Sequence, residues 1–290
     1  MVKLPSPYNN NKYKSQSFDT SQEADLILFE LLQQLKPYQK KDRFCKFNQS
    51  IRNIVLKGIK SQYPEASINK IREEYIKRTL GEKWITILNK VNDISGFMIE
   101  DPLSLAQKIA DILVGLDIPY LIGGSVASSL LGESRATQDL DLVIDLSLSQ
   151  VTPLIQAMGS DFYISESAVI EAIQNKTSFN IIHLLSIEKA DLFVMDNTAF
   201  SQSKMKRRQF YPVDPQLNQG VYIYSPEDII LQKLFWYNLA KSESQKQWRD
   251  VLGVLKIQQD NLDFAYLTNW ANLLQLEELL TEALEQSGLK

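Results

Sequence analysis

The stretch from Ile118 to Leu146, IPYLIGGSVASSLLGESRATQDLDLVIDL, restricts the fold of this chain more than any other. A β-branched and aromatic run at Tyr120-Leu121-Ile122 breaks at Gly123-Gly124-Ser125, passes through an Ala/Leu-rich turn of helix and re-emerges as the alternating segment Asp139-Leu140-Asp141-Leu142-Val143-Ile144. That order predicts strand, glycine turn, helix, strand, with two carboxylates at the mouth of the second strand. Adjacent glycines let backbone amides approach a ligand closely, and the following helix offers free N–H groups; both suit a phosphate. Residues i and i+2 of a strand share a face with Cα atoms roughly 6.5–7 Å apart, so Asp139 and Asp141 can converge on ions about 3.5–4 Å apart. Asp145 has the same parity but lies about 13 Å of strand beyond Asp141, and is expected to be structural. Two like charges on one strand face repel unless a cation is present, and hard oxygen donors suit Mg²⁺ or Mn²⁺.

The rest of the chain narrows the alternatives. One cysteine, Cys45, and one histidine, His183, exclude a disulfide framework and a Cys/His zinc site within one chain, so a metal must be held by oxygen. A formal net charge of −4 argues against a broad nucleic-acid footprint and leaves room for a local basic patch. No run is apolar enough to span a bilayer and the N-terminus has no apolar leader, so the expected compartment is the cytoplasm, with no membrane partner.

Taken in order, residues 1–19 are Asn/Ser/Lys/Pro-rich and expected as a flexible tail. Residues 20–92 are expected as an N-terminal helical bundle. Its first helix follows a capping box at Thr20 to Glu23, and others cover about 39–60, 68–80 and 84–88. Residues 93–100, with Gly96, resemble a linker. From 101 to 224 the pattern is that of an α/β core, with helix 101–116 opened by Asp101-Pro102 and strands at 119–122, 140–145, 161–164, 179–185, 189–195, 210–213 and 221–224. Residues 225–290 are expected as a C-terminal helical region. The fold class is therefore α+β, a small mixed sheet flanked by helices. The basic run Lys204-Met205-Lys206-Arg207-Arg208 is expected as solvated surface, with contact to an RNA acceptor as the alternative, and His183 as a core or hydrogen-bonded residue.

Gly124-Ser125, a spacer of thirteen residues and Asp139-Leu140-Asp141 resemble the signature of the nucleotidyltransferase superfamily that includes DNA polymerase β. The runs GGSVASSLLGESRATQDLDL and SPEDIILQKLFWYNLAKSESQKQWRDVLGVL are similar to bacterial stand-alone nucleotidyltransferases related to the AbiEii-type toxins of toxin–antitoxin systems. The resemblance covers about Asp101 to the C-terminus. It implies a turn at Gly123, Gly124 and Ser125 that holds nucleotide phosphates, and metal-binding aspartates at Asp139 and Asp141. It also implies a third carboxylate at Asp191, in KADLFVMD, that binds metal and activates the attacking hydroxyl, with Asp196 the weaker match. Lys233 and Asp250 match a lysine and an aspartate on the C-terminal helices of such relatives. Lys233 also falls on the helix stripe with Ile229, Ile230 and Leu234, where a charge needs a partner, either a triphosphate or Asp250. Arg135 and Thr137 precede the first aspartate, and Arg135 has two readings, a phosphate ligand or a partner of Asp139.

The expected activity is transfer of a nucleoside monophosphate from an NTP to a hydroxyl on RNA, tRNA, a protein or a small molecule, with a possible toxin role and an antitoxin partner. The alternative is a catalytically weak nucleotide- or partner-binding regulator on the same scaffold. Gly123-Gly-Ser125-Val-Ala also mimics a nucleophile elbow, but a hydrolase of that kind needs several strands before the elbow and here one precedes it. No GxxxxGK[ST] loop or dinucleotide fingerprint occurs.

Overall fold

The computed structural model describes residues 12–88, 100–214, 219–241 and 243–290. Four helices come first, α1 (Gln22–Gln33), α2 (Pro37–Gln62), α3 (Ile68–Thr79) and α4 (Lys83–Leu88). Then follow α5 (Pro102–Gly115), β1 (Tyr120–Ile122), α6 (Gly124–Leu131), β2 (Asp139–Ile144), α7 (Val151–Met158), β3 (Phe162–Ile164), α8 (Glu166–Asn175), β4 (Ser178–His183) and β5 (Glu188–Val194). The chain ends with α9 (Ala199–Arg207), β6 (Gln209–Asp214), β7 (Gln219–Ile223), α10 (Pro226–Leu239), α11 (Gln245–Gln258), α12 (Phe264–Leu273) and α13 (Glu277–Ser287). The fold is α+β, a single mixed sheet flanked by helices.

Local chemistry sets the helix starts. Asp101 accepts from the amides of Leu103 and Ser104, with Pro102 at the first helical position of α5. Ser225 and Pro226 open α10 in the same way, the Ser225 hydroxyl accepting from the Asp228 amide. At α1 the cap is Ser21, whose hydroxyl accepts from the Ala24 amide, one residue later than the expected box at Thr20.

The strand order is β3-β4-β5-β2-β1-β7-β6. The centre is mixed: β2 runs parallel to β5, and β1 to β7, while β1 and β2 between them are antiparallel. In the β2–β5 register Asp139 lies opposite Lys189 and Asp141 opposite Asp191. Alternation sends Leu140, Leu142 and Ile144 of β2, and Ala190, Leu192 and Val194 of β5, into the main core. The charged residues between them therefore share the other face. That core also holds Leu105, Ile109 and Leu113 of α5 and Ile230, Leu234, Val251 and Leu255 of α10 and α11.

The N-terminal helices form as expected, but they bury their apolar faces against the rest of the chain. Phe44 of α2 belongs to the main core. Ile59, Tyr75, Ile76 and Trp84 cluster with Ile182 and Leu184 of the β4 hairpin, and Phe29 and Leu32 of α1 with Ile257 of α11. Residues 12–19, expected to be flexible, are tied down. The Lys14 amide donates to the Gln286 carbonyl at 2.9 Å, and the Tyr13 hydroxyl to Asp25 Oδ2 at 2.6 Å. Asp25 in turn pairs with Lys256 at 2.7 Å, both about 1–2 % exposed. The tail reads as polar because its anchors are Asp25 on α1 and, at the far end of the chain, Arg249, Lys256 and Gln286. Residues 1–11 and nearly all of the expected linker, 93–99, lie outside the described residues.

Of the basic run only Lys206 is exposed surface as expected; Lys204, Arg207 and Arg208 are not. The run closes the unanticipated helix α9, where Lys204 is buried, donates to Gln232 Oε1 at 2.7 Å and lies over the Phe200 ring. Arg207 bonds Glu227 and stacks on Tyr266, and Arg208 stacks on Tyr222. These three cations are packing material, their charged heads lying over aromatic faces. Among the described residues no helix is long and apolar enough to cross a membrane.

Candidate active site

Strand β1 ends at Ile122, and the Gly123 amide donates to the Asp141 carbonyl at 2.9 Å. A Cβ on Gly123 would stand 2.6 Å from the Tyr224 ring. Gly124 has φ +55°, and a Cβ there would stand 1.7 Å from Asp141 Oδ2. Both glycines are therefore required: the second brings bare backbone onto the Asp141 carboxylate in a conformation that L side chains avoid. No side chain caps α6, whose first amides follow this turn.

Ser125 shares a 2.5 Å hydrogen bond with the Thr137 hydroxyl, which donates to the Asp139 carbonyl at 3.0 Å. The Thr137 amide donates to Oδ1 of buried Asn48 on α2 at 2.9 Å. The turn and the entrance to β2 are thus braced by the N-terminal helices. Sequence reasoning found no site residue there, and Asn48 carries no local signal that would have marked it.

The three aspartates Asp139, Asp141 and Asp191 gather on one face of β2 and β5. Burial, then the neighbouring charges of Asp191 and Asp139, push Asp141 up to about 6, against the pull of Lys233 and Lys189. Lys189 lies among them, its Nζ 3.1 Å from Asp139 Oδ1 and 3.0 Å from Asp191 Oδ2. Burial opposes its charge, but the two carboxylates hold its pKa above the ordinary lysine value. Asn180 of β4, opposite Asp191, donates its amide to Asp191 Oδ1. Neither Lys189 nor Asn180 was anticipated. Lys189 had a signal in its i−2 spacing from Asp191, whereas Asn180 enters only through the β4–β5 register.

Asp145 is exposed and its amide donates to the Pro119 carbonyl, away from the cluster. Asp196 lies past the end of β5, where Oδ1 accepts from the amide and hydroxyl of Thr198. His183 is buried on the opposite parity of β4 from Asn180, sharing a 2.8 Å hydrogen bond with Ser186; burial and then nearby Lys108 lower its pKa.

The helical side of the site is a compact ion cluster. Arg135 does not pair with Asp139: its Nε and Nη2 reach the two oxygens of Asp250 at 2.7 and 2.9 Å. Lys233 Nζ lies 2.8 Å from Asp250 Oδ2, which also accepts from the Ser128 hydroxyl at 3.1 Å. Burial would raise Asp250, but hydrogen bonds from Arg135 and the charges of Lys233 and Arg135 hold it below the usual carboxylate range. Of the two readings for Lys233, the Asp250 partnership is the one formed here. One carboxylate against two cations leaves the cluster net positive, close enough to Asp141 for Lys233 to lower its pKa.

Among the described residues no group of three His, Cys, Asp or Glu side chains converges closely enough to hold a metal ion as placed. The donor chemistry nevertheless suits a hard divalent cation, since Asp139 and Asp191 already share one cationic group, the Lys189 ammonium. The glycine cradle holds Asp141 beside them.

No protein-family model matches the chain, and no curated protein matches it. Solved structures do. An antigenic nucleotidyltransferase-like protein from Paracoccidioides brasiliensis matches at 22 % identity and a TM-score of 0.41, over 64 % of this chain and 92 % of its own. The antibiotic-resistance factor ANT(2'')-Ia matches at 15 % identity and a TM-score of 0.31, over 61 % and 96 %. Likenesses at this level carry no argument about activity, which rests on the residues themselves.

Proposed function

We propose that this chain is a metal-dependent nucleotidyltransferase, moving a nucleoside monophosphate from an NTP to a hydroxyl acceptor. The observation that carries this reading is the β2–β5 register, which sets Asp141 opposite Asp191 with Asp139 beside them, against the bare backbone of Gly124. In this reading the bond from the acceptor oxygen to Pα forms as the bond from Pα to the bridging oxygen breaks, and pyrophosphate leaves. Gly123, Gly124, Ser125 and the uncapped start of α6 receive the phosphates. Asp139, Asp141 and Asp191 hold Mg²⁺ or Mn²⁺, which when bound neutralises the charge developing on the transferring phosphoryl group. Asp191, steadied by Asn180, accepts the proton of the attacking hydroxyl. Lys233 and Arg135, anchored by Asp250, supply positive charge on the helical side.

The test is incubation of purified protein with each labelled NTP, Mg²⁺ and cellular RNA, tRNA or protein extract. Label transfer that is lost in Asp139→Asn and Asp141→Asn supports the reading, and no dependence on either aspartate refutes it. The toxin role and an antitoxin partner rest on the resemblance of the 123–142 and 225–255 runs. Induced expression should arrest growth and Asp141→Asn should relieve the arrest. A second reading, a nucleotide- or partner-binding protein with little catalysis, is favoured by the Lys189 ammonium lying between two of the carboxylates. Calorimetric titration with ATP or GTP separates the two, because Mg²⁺-independent binding favours the second.

A further inference from the structure

The gap between Asp139 and Asp191 is filled by Lys189. Lys189 is on β5 with Asp191, two residues apart on one face, and stands opposite Asp139 on β2. Its Nζ is within 3.1 Å of one oxygen from each. An ion ligated by both carboxylates needs oxygens at roughly 2.0–2.6 Å, and so occupies the same gap. Ammonium and ion cannot share it, since their volumes overlap and their charges repel. The lysine is free to move where the Asp191 carboxylate is not. Its side chain is 20 % exposed on a flexible stem, whereas Asp191 is held through its other oxygen by Asn180.

We propose that Lys189 is a tethered cation that compensates the carboxylates before ligand arrives, so that divalent metal enters by exchange with the ammonium. This inference rests on the metal-site reading above. Lys189 makes metal binding weak in the absence of nucleotide. A triphosphate, by offering the displaced ammonium an anionic partner, strengthens it, so metal and NTP bind cooperatively. The carboxylate cluster is thereby charge-compensated in both states.

The test measures Mn²⁺ affinity by electron paramagnetic resonance and calorimetry, for the wild type, Lys189→Met and Lys189→Arg, without and with a non-hydrolysable NTP. Without nucleotide, Lys189→Met should bind Mn²⁺ about tenfold tighter than wild type, as expected for loss of one part-buried ionic contact, to Asp191, and one to the more exposed Asp139. Lys189→Arg should stay within about threefold of wild type, and the nucleotide should narrow the gap for Lys189→Met. Equal or weaker Mn²⁺ binding by Lys189→Met overturns the proposal while leaving the metal site intact. No Mn²⁺ binding by any of the proteins, even with nucleotide, overturns the metal-site reading itself. If Lys189→Met does not fold, a wild-type crystal soaked in Mn²⁺ decides. An anomalous peak with the Lys189 amine moved away supports the exchange, and a peak with the amine still bonded to both carboxylates overturns it.

Discussion

Asp250 and Lys233 form an ion pair whose two halves are not energetically equivalent, and that asymmetry separates structure from chemistry in the helical wall of the site. Asp250 is 3 % exposed and holds two cations at once, Arg135 through two oxygens and Lys233 at 2.8 Å. Asp250→Asn removes the carboxylate 2.8 Å from Lys233, itself 6 % exposed, and leaves that lysine beside a second cation. Breaking a buried pair from one side in this way costs about 3–5 kcal/mol. Lys233→Met instead leaves Asp250 with the Arg135 fork and the Ser128 hydroxyl, and puts an apolar chain of similar length among Ile229, Ile230 and Leu234. Its cost should be about 1 kcal/mol or less. Thermal and urea unfolding followed by circular dichroism should show Asp250→Asn lowered by roughly 8–12 °C and Lys233→Met by roughly 2–3 °C. Equal losses for the two variants, or a loss under about 1 kcal/mol for Asp250→Asn, would refute the reasoning. Labelling then assigns Lys233: a stable Lys233→Met protein that transfers label about a hundredfold more slowly marks a phosphate contact. Wild-type transfer marks a lysine that serves only Asp250.

Gly124→Ala places a Cβ on the Asp141 carboxylate at positive φ, so it should cost about 2 kcal/mol or more in unfolding and abolish label transfer; a variant with wild-type melting and transfer rejects the cradle. Glu188, paired with Arg52 at 2.6 Å, is pushed up to about 7, first by burial and then by Glu100 and Asp101, against the pull of Arg52. Because its folded pKa lies above the ordinary 4.5, the stability it contributes is complete below that value and lost as pH rises through about 7. Stability should thus fall by about 2–3 kcal/mol between pH 5 and 8 in the wild type and more shallowly in Glu188→Gln; parallel profiles would count against it. Lys256→Met strands buried Asp25 and should cost about 3 kcal/mol, with earlier proteolytic cleavage before α1, since the same aspartate holds Tyr13 and Gln16; an unchanged digestion pattern contradicts this.

The strand, glycine turn, helix and strand at 120–144 were legible because each rests on neighbours a few residues away. Asp191 entered only through the family resemblance; alternation then places it on one face of its strand. Helix α9 was not legible, since its apolar residues Phe200 and Met205 are sparse and its cations look solvated until the aromatic faces they lie against are in place. Arg135 shows the limit most directly: it stands four positions before Asp139 in the sequence, yet its partner is Asp250, brought in by the packing of α11 on α6.

By itself the sequence determined the local conformations, the parity of the carboxylates on β2 and β5, and the bareness of the turn backbone, because these depend on φ/ψ preference and the two-residue period of a strand. Only the tertiary structure decided what the charges do to one another. The β2–β5 register put the Lys189 ammonium between Asp139 and Asp191, and the docking of α2 and α11 brought Asn48 and Asp250 to the site. Coulombic and hydrogen-bond energies depend on distances through space, and no spacing along the chain encodes them.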